Sequence, residues 1–202
     1  MLQKTICLFI GLAASPMASA VPELELLSVG AHGPDCASVE PLATIAGDKL
    51  EVRAPLKAVA RALPPSGYAF HNASCTHRLT LRLPEGWRLV VSEVRYFYQL
   101  SLGGSSGATH GFSLSAGEPP SSVARSTPGV AGSADIRSIK VWSLPPEAAV
   151  RTGCGGEQTL ALTMQALVRS MGSYRSQATI QAPLDGRMPG VSLSTALEEC
   201  TL

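Results

Sequence analysis

Four histidines, His32, His71, His77 and His110, are the side chains of this sequence best suited to move a proton near neutral pH. A hydrolytic triad needs one imidazole held between a hydroxyl and a carboxylate. Serines are abundant, but no Gly-x-Ser-x-Gly elbow is present, and Gly104-Ser105-Ser106-Gly107 reads as a flexible loop. His71 and His77 flank Cys75. On one extended strand their even spacing puts both on the same face, but about 20 Å apart, too far to share a metal ion. The acids Glu51, Glu85, Glu93 and Asp135 fall on polar faces and turns, as solvated surface does, and not as the facing pair that sugar hydrolysis requires. The sequence therefore assigns no catalytic residue, no cofactor and no metal site.

The cysteines carry a different chemistry. Cys7 lies in an N-terminal apolar run, Ile6 to Ala14, that follows Lys4 and leads through Pro16 to Ala18-Ser19-Ala20. A basic start, a short apolar core and a small-residue exit describe a secretory signal peptide, residues 1–20, cleaved after Ala20. The core is too short to span a bilayer. Cys36, Cys75, Cys154 and Cys200 remain, an even number in an exported chain, which reads as two disulfides. No two of them are close enough in sequence for a zinc knuckle. Of the three possible pairings we favour Cys36–Cys200, tying the ends of the domain, with Cys75–Cys154 stapling two interior strands.

Positioning such bridges requires a framework, and the sequence supplies a two-residue period. Lys49 to Ala54 alternates without error, and so does His77 to Leu83, with Leu79, Leu81 and Leu83 on one side. Pro84-Glu85-Gly86 supplies a turn, and Trp87 to Leu102 is a long β-branched and aromatic run. There Val90, Val94, Tyr96, Tyr98, Leu100 and Leu102 share one face, with Leu89, Val91 and Phe97 on the other. Residues 77–83 and 88–102 are expected to form a hairpin. Shorter strands are expected at 23–26, 37–45 (interrupted by Pro41), 112–114, 139–142, 178–182 and 191–196. Residues 160–168 fit either a strand or a helix face, and Leu56, Val59, Ala60 and Leu63 fit one or two helical turns ended by Pro64-Pro65. Loops rich in Gly, Ser and Pro are expected at 103–107, 116–134 and 144–156.

This pattern predicts an all-β fold, a two-sheet antiparallel β-sandwich of immunoglobulin-like or jelly-roll-like type, in a single domain over 21–202. Removing Lys4 leaves 15 Lys+Arg against 15 Asp+Glu, and no basic stripe gathers on one segment. That excludes nucleic acid as the expected partner, and no later segment is apolar for long enough to span a membrane as a helix.

The order of landmarks resembles a known family. Gly33-Pro34-Asp35-Cys36 follows a first strand, and Asn72-x-x-Cys75 leads into an alternating Leu strand. Leu83-Pro84-Glu85-Gly86-Trp87, the run Arg95-Tyr96-Phe97-Tyr98-Gln99-Leu100, Gly153-Cys154-Gly155 and a closing Cys200 complete the order. Over nearly the whole mature chain this is similar to the secreted bacterial and fungal proteins known as Domain of Unknown Function 4360. The resemblance implies a disulfide-bonded, all-β extracellular domain and favours strand for residues 159–169. It implies no activity.

Among Trp87, Tyr96, Phe97, Tyr98 and Trp142, one of the two faces of the 96–98 run is expected to be core. The other is expected to offer a platform that stacks on sugar rings or peptides. Asn72-Ala73-Ser74 is a glycosylation sequon, and no glycan is expected on a chain of bacterial appearance. The resulting expectation is an exported, secreted or periplasmic, non-catalytic binding or surface-structural module, with carbohydrate or protein at the cell surface as partner. The alternative is a secreted hydrolase with an unfamiliar site.

Overall fold

The computed structural model describes residues 23–36, 42–54, 56–61, 67–117, 121–171, 175–180 and 190–201. The expected signal peptide, the 37–41 half of one expected strand, Pro64-Pro65 and residues 181–182 lie outside them. The described residues form β1 (Glu25–His32), β2 (Leu42–Ala46), β3 (Lys49–Arg53), β4 (Leu56–Arg61), β5 (Tyr68–Leu83), β6 (Trp87–Leu102) and β7 (Gly107–Ala116). They continue with β8 (Ser121–Ser126), β9 (Val130–Ala131), β10 (Ala134–Ser143), β11 (Val150–Arg151), β12 (Gly156–Met171), β13 (Arg175–Ile180) and β14 (Val191–Glu199). None of them forms a helix long and apolar enough to cross a membrane.

The strands make two antiparallel sheets packed as a sandwich. The first has the order β1-β5-β12-β7-β8, with β9 beside β7. The second is built on β6. One edge of β6 pairs with β14 and, further along, β13; these lead to β3-β2 and to β4. The other edge pairs with β10 and β11. Inward-facing Leu79, Leu81, Leu160, Leu162, Met164, Leu114, Leu50, Val94, Leu100 and Leu193 fill the space between the sheets and are fully buried. Residues 160–168 are thus strand.

Several expectations are corrected. β5 and β6 do not form a hairpin. The Pro84–Gly86 turn is closed by the Trp87 N–H donating to the Pro84 carbonyl at 3.1 Å, and it sends the two strands into different sheets. Each strand has its own apolar face, and placing those faces against each other buries both, which pairing the strands side by side in one sheet would not. Leu89 and Val91 lie on the same buried side as Val94 and Tyr96 and not on the opposite one. A bulge resolves the parity: Ser194 pairs with Glu93 but Thr195 with Val91, so Ser92 is left over and the inward face changes phase by one residue. Residues 56–61 form β4 where helical turns were considered, because Leu56, Ala58 and Ala60 bury a strand face. The 116–134 and 144–156 loops hold the short strands β8, β9 and β11.

The disulfides also differ from the favoured pairing. Cys36 bonds Cys75 and Cys154 bonds Cys200, with Cα atoms 4.9 and 6.3 Å apart. Register explains why. Cys75 pairs with Met164 of β12, and Cys154 lies ten residues before Met164, about 33 Å along an extended strand. A bridge needs Cα atoms within about 7 Å. Cys36 sits at Cys75, and Cys200 sits at Cys154 beside the Leu83–Gly156 end of the sheet, eight residues further along β5, so neither favoured pair can meet. At the second bridge the Gly155 N–H donates to the Trp87 carbonyl and the Cys200 N–H to the Gly86 carbonyl, both at 2.8 Å. The Pro84–Trp87 turn, the Cys154 loop and the chain end are thereby one cluster.

Between the sheets, Tyr96 of β6 and His110 of β7 share a hydrogen bond of 2.9 Å. The Tyr98 ring lies 4.0 Å from the His110 ring, and Phe112 packs edge-on against Tyr96 and Trp142. Burial holds His110 down to about 4, helped by the charge of Lys140, and burial pushes the Tyr96 phenol up to about 12. Both groups are neutral at pH 7, as a polar pair in an apolar seam must be.

Two outcomes follow. Non-reducing peptide mapping will recover Cys36–Cys75 and Cys154–Cys200, and the double variant Cys154→Ser/Cys200→Ser will lose about 2–4 kcal/mol in a denaturant titration. The unfolded chain accepts a proton on His110 near its ordinary 6.5, and the folded chain resists it down to about 4. Stability is therefore full above pH 6.5 and declines as pH falls toward 4, by up to about 3 kcal/mol from this residue. Denaturant midpoints measured across that range will show the decline, and His110→Gln will flatten it.

Candidate functional site

The histidines are used by the fold. Val59 of β4 donates its N–H to His71 Nδ1 at 3.0 Å, so Nε2 carries the proton and donates to Asp35 Oδ1 at 3.2 Å. Asp35 Oδ2 accepts the Ser74 N–H at 3.1 Å. His71 and Asp35 thus form an acid–imidazole pair whose ring nitrogens are both engaged, leaving none to activate a hydroxyl. His77 lies on the same inward face of β5, as the spacing predicts. Its Nε2 is 3.3 Å from Cys75 Sγ, its Nδ1 has no partner among the described residues, and burial lowers its pKa. His110 belongs to the seam with Tyr96, and His32 is exposed at the end of β1. Among the described residues no group of three His, Cys, Asp or Glu side chains could hold a metal ion.

The acids singled out from the sequence do not converge. Glu85 is exposed in its turn, Asp135 is exposed on β10, and Glu93 pairs with Arg95 at 3.2 Å. Glu51 borders a shallow depression of about 110 Å³ on the outer face of the second sheet, with Lys49, Arg95, Phe97 and Ile139.

The aromatic run divides as the alternation requires. Tyr96 is core, Tyr98 is half-buried on His110, and Phe97 is half-buried on the outer face of the second sheet. Trp142 is half-buried against Phe112, and Trp87 lines a cavity of about 680 Å³ with Leu24, Ile45 and Leu197. None of these five offers a bare ring to solvent.

The most exposed rings are elsewhere, on residues that the sequence analysis did not single out. β5 buries Ala73, Cys75, His77 and Leu79, so Tyr68, Phe70 and Asn72 must point outward. Phe70 is 66% exposed and Tyr68 48%, with ring centroids 6.2 Å apart. Met171 lies opposite Tyr68 and is also exposed. The next strand places Arg169 opposite Phe70 and Leu167 opposite Asn72. Thr109 and Gly111 of β7 pair with Leu167 and Gln165, and the trough among Asn72, Thr109, Gly111 and Gln165 holds about 200 Å³. Gly111 admits no side chain, since a Cβ there would collide with the Arg125 carbonyl oxygen. The sequence signal was present: Tyr68-x-Phe70-x-Asn72 alternates with Ala69-x-His71-x-Ala73, and the smaller set faces in.

No family model and no curated relative matches the chain. Three solved structures are similar to it at low identity. One is TmCBM61 in complex with β-1,4-galactotriose, at 12% identity and a TM-score of 0.24, covering 71% of this chain and 81% of that one. Another is the enzymatically active domain of bacteriophage CBA120 tailspike protein 4, at 13% identity and a TM-score of 0.22; the chain covers 85% of itself and 19% of that protein. The third is from infectious bursal disease virus Gt strain, at 14% identity and a TM-score of 0.27, covering 98% of this chain and 43% of that one.

Proposed function

We propose that this chain is an exported, non-catalytic module of the Domain of Unknown Function 4360 type that binds carbohydrate at the cell surface. Its recognition face is the Tyr68/Phe70 end of the first sheet. The observation that carries this reading is the outward pair of rings on the outer face of the first sheet, bordered by the amides of Asn72 and Gln165 and the hydroxyl of Thr109. A sugar ring has an apolar face and an equatorial belt of hydroxyls. An exposed aromatic ring accepts the first and side-chain amides pair with the second. Exposed large apolar side chains gathered at one place on a β-sandwich mark a contact surface, since the core does not need them. The apolar N-terminal run and the two disulfides support export to an oxidising compartment.

A hydrolase would centre on His71 and Asp35. Against it stands the engagement of both His71 nitrogens, one of them by a backbone N–H of the facing sheet.

Affinity electrophoresis of the purified, oxidised protein through gels containing soluble polysaccharides tests the reading. Phe70→Ala and Tyr68→Ala should each weaken retention at least tenfold. The unfolding midpoint should barely move, because neither ring is buried. Retention that ignores both substitutions removes this face from the function.

A further inference from the structure

The outer face of the first sheet also carries a charge pattern, and it bears on which carbohydrate the face accepts. From the Tyr68–Met171 row to the Arg78–Ala161 row, β5 and β12 present two guanidinium groups outward, Arg169 and Arg78, and no carboxylate. Among the described residues neither arginine has an ion-pair partner. Two outward rows further along, the contrast appears: Arg82 is paired with Glu25 at 3.0 Å and Glu157 at 3.5 Å. Asp35, beside β5, has both oxygens engaged by His71 and Ser74.

Arg169 is also well placed. It lies in the same cross-strand row as Phe70 and Gly107. A Cβ on Gly107 would come 3.6 Å from an Arg169 guanidinium nitrogen, so that side chain lies along the sheet over the glycine. Gly107 is in β7, on the side of β12 away from Phe70 in β5, so the planar fork is offered on the same outward face one strand beyond the ring, where it can take a carboxylate with two parallel hydrogen bonds. Arg78 lies eight residues along the same face, about 27 Å away. The strip between them carries Leu167 and otherwise polar side chains, among them Thr76 and Thr163, whose hydroxyls share a 2.8 Å hydrogen bond.

We infer that the ligand is an extended acidic polysaccharide carrying uronic-acid carboxylates, laid along β5 and β12 with a sugar ring on Phe70 and carboxylates on Arg169 and Arg78. This rests on the carbohydrate-binding reading above and names its substrate class. A nucleic acid fits less well. Its backbone carries a charge every few ångströms, and two cations 27 Å apart on a chain of zero net mature charge leave most of that charge unmet.

The test compares polygalacturonate with its carboxyl-reduced, neutral counterpart, and with oligothymidylate, by isothermal calorimetry at low and moderate salt. The expected result is at least tenfold tighter binding to polygalacturonate, weakened by salt. Arg169→Gln should abolish that preference while leaving the unfolding midpoint unchanged, and Arg78→Gln should reduce it. Equal affinity for acidic and neutral polymers, or a preference that survives Arg169→Gln, overturns the acidic-ligand inference and leaves the carbohydrate reading standing. Tighter binding to oligothymidylate overturns it in favour of a nucleic acid. Binding to none of the three, in a protein whose disulfides are intact, overturns both readings together.

Discussion

The face that β5 shows to solvent is fixed by what grips its other side. Cys75 is bonded to Cys36, the Ser74 N–H is taken by Asp35, and His71 reaches from Asp35 to the Val59 backbone of the facing sheet. A strand's side chains alternate, so a slip of one residue would turn Tyr68, Phe70 and Asn72 inward and His71, Cys75 and His77 outward. A polar face with few large apolar side chains specifies register weakly by burial alone, and the outer half of this sheet is such a face. The covalent bond and the two side-chain bridges supply locally what burial supplies further along, where Leu79, Leu81 and Leu83 enter the core. Gly33 belongs to the same device. Its φ of 136° and the 3.0 Å approach of a would-be Cβ to the Ser74 carbonyl oxygen leave no room for a side chain.

What the sequence disclosed and what it withheld divide along physical lines. Period-two alternation reports burial of a face, and it located the strands in 49–54, 77–83 and 87–102 because each buries one side. It reports nothing about which strand lies beside which. The Pro84–Gly86 turn is as compatible with an arch between sheets as with a hairpin, and the bulge at Ser92 is a matter of pairing with β14 that leaves no mark on the composition. Disulfide connectivity is withheld for the same reason, being a property of register. The fold brings Gly33–Cys36 together with Asn72–Cys75, and Gly86–Trp87 together with Cys154 and Cys200, as two clusters. The candidate face was legible at Tyr68 and Phe70 and overlooked because aromatic residues elsewhere lay in longer runs. Those runs are long because they are core.

A division of labour between the two kinds of aromatic residue follows. Tyr96, Phe112 and Trp142 join the sheets, and the Tyr96–His110 hydrogen bond crosses the seam where an isolated polar atom would be costly. The Trp142 indole N–H borders the same seam and is buried without a partner among the described residues. A hydrolytic role for His110 would require its ring to accept a proton during turnover. The site that buries it makes that protonation unfavourable at neutral pH, which suits a structural neutral pair and ill suits a general base.

The outer face of the first sheet has the opposite economy: nothing on it is needed to hold the sheets together. Phe70 could be polar without exposing core, and Arg169 could be short without breaking an ion pair. Side chains that stability does not require, placed together on the part of a rigid sheet that a disulfide keeps in register, are preorganised for contact and lose little entropy when a ligand arrives. A loop could carry the same residues, but each would have to be ordered on binding. Mounting them on β5 and β12 transfers that ordering to the fold, so in the proposed binding role the clamp at Cys36 and Asp35 acts through register, holding the outward face in place from behind.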